Sequence, residues 1–104
     1  MYSRVTLLEI DTLRVEVEDV LRRFETEILP RVREMPGYEG VAVLVTPEGK
    51  GMIVSFWESE EAVEASAGPA ASAVEEFVTL YRAPPGREHY RVAYAEMPRV
   101  TVET

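Results

Sequence analysis

Between Tyr2 and Ile10 the apolar residues Val5, Leu7, Leu8 and Ile10 fall on both parities, the pattern of a strand covered on two sides rather than one. From Val17 to Met35 the period lengthens to three and four. Val17, Val20, Leu21, Phe24, Ile28, Val32 and Met35 form one stripe, with acids and arginines filling most of the rest. This predicts a long helix, with Glu16, Glu18 and Asp19 suiting its positive end and Arg31 and Arg33 its negative end. Pro30 should kink or interrupt its last turns, and Met35-Pro36-Gly37 should stop it, with Gly37 in a left-handed cap. The intervening stretch from Asp11 to Glu16 reads as a connection in which Leu13 and Val15 pack locally.

Val41 to Val45 and Met52 to Trp57 then read as two strands of a hairpin around Thr46-Pro47-Glu48-Gly49-Lys50-Gly51. Ser59 is an N-cap candidate with Glu60 and Glu61 behind it, opening a helix of small side chains. That helix is expected to break at Gly68-Pro69 and resume to about Thr79, where Val74, Phe77 and Val78 supply larger packing groups. Arg82 to Glu88 reads as a loop and Tyr90 to Met97 as the last strand. The tail from Arg99 to Thr104 is expected to fray or cross onto a partner.

Strand, helix, two strands, helix, strand is the βαββαβ order of an α+β, ferredoxin-like domain with a four-stranded antiparallel sheet. Right-handed crossovers would put both helices on one sheet face. The other face would then be open, yet Val41-Ala42-Val43-Leu44-Val45 shows no clean alternation with polar residues. Two copies stacking their open faces would bury that surface, so a twofold homodimer is expected.

The 104 residues suit one domain spanning 1–104. With no cysteine, disulfides, thiolate metal sites and cysteine nucleophiles are excluded together. No signal peptide or membrane-length apolar run is read, so a cytoplasmic protein without membrane association is expected. A net charge of -8, from 11 basic and 19 acidic residues, argues against nucleic acid as a partner. One histidine and scattered acids predict no metal site, and Gly49 and Gly51 do not make a phosphate loop.

The run from Ile28 to Gly40, ILPRVREMPGYEG, the hairpin after it, and Ser55-Phe56-Trp57-Glu58-Ser59-Glu60-Glu61-Ala62 resemble the antibiotic biosynthesis monooxygenase family of dimeric α/β barrels. The resemblance implies two ferredoxin-like subunits packed sheet to sheet, with a pocket between sheet and helices or toward the barrel. It also implies either cofactor-independent oxidation of electron-rich aromatic substrates, haem degradation, or no catalysis at all. Trp57 matches the pocket tryptophan of the haem-degrading members. Their axial histidine has no counterpart in Ser66 to Ala70, and their first-strand asparagine none among Val5, Thr6 and Leu7. Haem degradation is therefore disfavoured, and no cofactor is expected.

The candidate ligand pocket is Trp57, Arg4, Thr6 and Ser55, which would share one mixed polar and aromatic sheet face. Trp57 would be either a flat wall for an aromatic small molecule or a dimer-interface aromatic. Arg4 would stabilise a substrate enolate or phenolate, its ordinary alternative being an ion pair. Neither hydroxyl has a neighbouring base that would make it a nucleophile. His89, the sole histidine, and Tyr38 are weaker candidates, for a base and a donor respectively, with surface or subunit contact as the alternative. The expected function is small-molecule binding with oxidation of an aromatic substrate. The alternative is a noncatalytic ligand-binding or structural homodimer of the same fold.

Overall fold

The computed structural model describes residues 1–75 and 86–97. Their elements are β1 (Tyr2–Glu9), α1 (Val17–Arg23), a π-helical turn (Phe24–Ile28), α2 (Leu29–Arg33), β2 (Tyr38–Val45), β3 (Lys50–Trp57), α3 (Glu60–Glu75) and β4 (Gly86–Arg91). The strands pair antiparallel in the order β2-β3-β1-β4, the ferredoxin-like α+β arrangement expected. The expected helix extension to Thr79, the loop residues up to Pro85 and the tail from Pro98 to Thr104 lie outside the described residues.

Pro30 acts on the long helix as its chemistry demands. It cannot donate to the Thr26 carbonyl, and the helix widens into the π turn immediately before it. Local side chains take up some of the carbonyls there. Thr26 Oγ1 donates to the Arg22 carbonyl at 3.0 Å, and Arg31 Nε donates to that of Glu27 at 2.9 Å. The predicted stripe faces the sheet, with Ile28 and Val32 buried against Trp57 and Val63 of α3. Gly37 ends the helical region at φ 82°, and a Cβ there would lie 2.5 Å from the Ala62 Cβ. Only glycine supplies both the handedness and the clearance.

Four expectations are corrected. α3 runs unbroken through Gly68-Pro69. The carbonyl that Pro69 leaves without a donor belongs to Ala65, which is exposed with Gly68 and Pro69 on the solvent side of the helix, so the lost bond costs little there. β4 spans Gly86–Arg91 rather than Tyr90 to Met97, because Gly86 to Glu88 pair with β1 although they follow two prolines. The hairpin strands are longer than expected, β2 starting at Tyr38 and β3 at Lys50. They close on a turn in which Gly49 donates to the Thr46 carbonyl at 3.0 Å. Leu13 does not pack locally: it is 90% exposed, on a turn held by its own N–H donating to Asp11 Oδ1.

Candidate functional site

β1 and β3 pair with Arg4 opposite Ser55 and Tyr2 opposite Trp57, so strand parity alone puts Arg4, Thr6, Ser55 and Trp57 on one face. It is the face the helices cover. Trp57 is fully buried, packed with Ile28, Val32 and Val63. Its Nε1 donates to Ser55 Oγ at 2.9 Å, and Ser55 Oγ donates onward to the Arg4 carbonyl at 3.4 Å. The Arg4 guanidinium lies 5.4 Å from the indole centroid, within cation–π reach. Arg4 Nη1 donates to Ser66 Oγ at 2.7 Å and to the Val63 carbonyl at 3.4 Å, with Ser66 Oγ also donating to that carbonyl at 2.9 Å.

Tyr38 joins the group through a β-bulge. The β2–β3 register runs Val41 to Ser55 and Gly40 to Phe56, then skips Glu39 so that Tyr38 opposes Trp57. Without the skip, a glutamate would sit beside the indole. With it, the two rings meet edge to face, 5.8 Å between centroids and 79° between planes.

Arg87 enters from β4, opposite Thr6 and one rung from Arg4. It was not among the expected site residues, because Arg82 to Glu88 read as loop. The alternation of Arg87, His89 and Arg91 with Glu88 and Tyr90 was the available signal. Arg4, Thr6, Ser55 and Arg87 line a cavity of about 30 Å³ with Phe24, Ile28, Val32, Val41 and Ile53. A second cavity of about 30 Å³ adjoins it across Phe24, Ile28 and Ile53, and its lining is apolar. Burial first, and the charge of Arg87 second, push the Arg4 guanidinium below its ordinary pKa. Among the described residues Arg4 is in no ion pair, its polar contacts there being neutral oxygens. His89 opposes Arg4 in the register yet is exposed at the sheet edge.

The opposite sheet face is mostly apolar, with Ser3 and Glu88 among its polar residues. Leu7, Leu44 and Tyr90 are 52%, 55% and 52% exposed, with Met52, Val5, Val54 and Phe56 between them. Two shallow grooves of about 280 and 270 Å³ run across it. Among the described residues no group of three histidines or acids could hold a metal ion, and no helix is long and apolar enough to cross a membrane.

The sequence profile of the antibiotic biosynthesis monooxygenase family matches residues 9–77. No match was found among curated proteins. Among solved structures, the chain is similar to the NE2512 protein of unknown function from Nitrosomonas europaea (20% identity, 95% of each chain, TM-score 0.72). It is also similar to a monooxygenase from the ActVA-Orf6 gene of Streptomyces coelicolor, solved with the ligand nanaomycin D (20% identity, 94% of this chain and 92% of that one, TM-score 0.70). A third similar structure is the haem degrader MhuD of Mycobacterium tuberculosis, with two haems bound in its active site (19% identity, 93% and 100%, TM-score 0.68). At these identities the likeness establishes the fold.

Proposed function

Because the chain belongs to the antibiotic biosynthesis monooxygenase family, we propose that it is a cytoplasmic homodimer that binds an aromatic small molecule on the helix-covered face of each sheet and oxidises it with dioxygen, without a cofactor. The observation that carries this reading is the buried cluster of Arg4, Trp57 and Ser55. Arg4 is 4% exposed, a cation held against an indole with no carboxylate in contact among the described residues. A substrate that loses a proton to become an enolate or phenolate reacts more readily with dioxygen, and a dry guanidinium stabilises that anion far better than one in water. Trp57 would form the flat wall and Tyr38 brace it from its edge. The open apolar face supports pairing of two copies, because a monomer that left Leu7, Leu44, Met52 and Tyr90 in water would carry a contiguous greasy surface.

Oxygen uptake with an anthrone, the keto form of an electron-rich polycyclic phenol, tests the reading. Turnover should fall sharply in Arg4→Met and Trp57→Phe while light scattering still reports a dimer. Undiminished turnover in both variants would remove these residues from the site.

A noncatalytic ligand-binding homodimer is favoured by one observation. Neither cavity has a carboxylate or imidazole among its described lining residues to take the substrate proton. On that reading the same phenol binds saturably and no oxygen is consumed.

A further inference from the structure

Arg87 lines the same small cavity as Arg4, and its Nη2 is buried with no hydrogen-bond partner. The chain carries 19 acidic residues against 11 basic ones, yet no acid is among the described residues lining this cavity. Two guanidiniums thus line one small space, each costing desolvation and each repelling the other. Thr6 and Ser55 are the only other polar side chains among the described lining residues. The other described lining residues are aliphatic or aromatic. The neighbouring cavity continues it as a wholly apolar chamber bounded by residues such as Leu8, Ile10, Leu21 and Val43. Phe24, Ile28 and Ile53 line both spaces, and Phe24 and Ile28 are the first and last residues of the π turn that Pro30 imposes.

We infer that these two cavities form one bipartite site for an aromatic monoanion, whose oxyanion sits between Arg4 and Arg87 and whose ring occupies the apolar chamber after Phe24 turns aside. This deepens the proposed function and rests on its placing the ligand on the helix-covered face. A single negative charge offsets the desolvation of both cations and removes their mutual repulsion. A neutral ligand of the same shape leaves that cost in place. The depressed basicity of Arg4 fits a site that lacks its counter-charge when empty. The π turn gives the wall between the chambers a looser backbone ladder than a regular helix would provide.

Fluorescence of Trp57, the sole tryptophan, reads the site directly in the intact chain. Titration with 2-naphthoate should bind about tenfold or more tightly than titration with the neutral, nearly isosteric 2-naphthamide. In Arg87→Met and in Arg4→Met that preference should shrink about threefold or more, because each variant removes one of the two cations that face the anion. Equal affinities for the two ligands in the wild-type protein would overturn the anion subsite and leave the ligand-site reading standing. A naphthoate preference that survives both Arg87→Met and Arg4→Met would overturn the assignment to this pair. Binding of neither ligand would overturn the subsite together with the reading beneath it. The wild-type comparison needs no variant, so it decides the point even if a substituted chain fails to fold.

Discussion

On one face of the sheet the polar residues Arg4, Thr6 and Ser55 are each 4% exposed, while on the other the apolar residues Leu7 and Leu44 are more than half exposed. A lone subunit in water gains nothing from this inversion. Burying a guanidinium without a counter-charge and wetting a patch of leucine and tyrosine are both unfavourable. Each face is therefore incomplete in a different way. The covered one lacks a charge and the open one lacks a surface. The same strands serve both needs, because a one-residue step along β1 passes from Arg4, beneath the helices, to Val5 on the open side.

The strongest test of this division compares truncations on the two faces. Trp57→Ala should lower stability by about 3–5 kcal/mol in urea denaturation, since it empties the centre of the core cluster. Leu7→Ala, measured in a dissociated subunit, should stay within about 0.5 kcal/mol of wild type. A large loss at Leu7 in the monomer would mean that the open face belongs to the subunit's own core. Next in size is Leu7→Arg, which puts a charge into the proposed interface. The dimer dissociation constant should rise about a hundredfold by concentration-dependent light scattering, while the far-ultraviolet circular dichroism holds. An unchanged dimer would remove the open face from the interface.

A smaller effect of unusual sign is expected at Arg4. Arg4→Met keeps the packing stem and deletes a buried charge that no carboxylate among the described residues offsets, so the ligand-free protein should gain about 1 kcal/mol. Ser66 Oγ still has the Val63 carbonyl to donate to. The pH sense agrees. Since burial lowers the folded-state pKa of Arg4, the unfolded chain holds its proton more tightly, and the penalty persists until pH rises through that depressed value. A marked loss of stability in Arg4→Met would show that the hydrogen bonds and the indole contact outweigh desolvation. The smallest effect lies beyond β4. The exposed Tyr94 hydroxyl donates to Glu96 Oε2 at 2.7 Å, which raises the phenol pKa. The stabilisation is fully present below the ordinary phenol value and lost as pH rises through the raised one. Absorbance titration of Glu96→Gln should return that phenol toward its ordinary range.

How much of this could be read in advance depended on the kind of signal. Strand parity grouped Arg4, Thr6, Ser55 and Trp57 on one face, because side chains on a strand alternate without exception unless a bulge intervenes. It did not say which face the helices cover, since apolar residues occupy both parities in β1 and β2. The bulge at Glu39 was foreshadowed only by Gly40, and its consequence, Tyr38 rather than Glu39 beside the indole, depends on pairing with a residue 19 positions further along the chain, Trp57. Arg87 was hidden by its neighbours. Pro84-Pro85-Gly86 carries so strong a turn signal that the following alternation was absorbed into the loop. Pro69 misled in the opposite direction, since a proline on a helix's wet side costs less than its reputation suggests.

Acrylamide quenching of Trp57 in the wild-type protein and in Leu7→Arg tests the division of labour between the faces most directly. Emission should be blue-shifted and quenching equally weak in the paired and dissociated proteins, with the indole exposed only on unfolding. Strong quenching that appears when the subunits separate would place Trp57 against the partner and contradict that division.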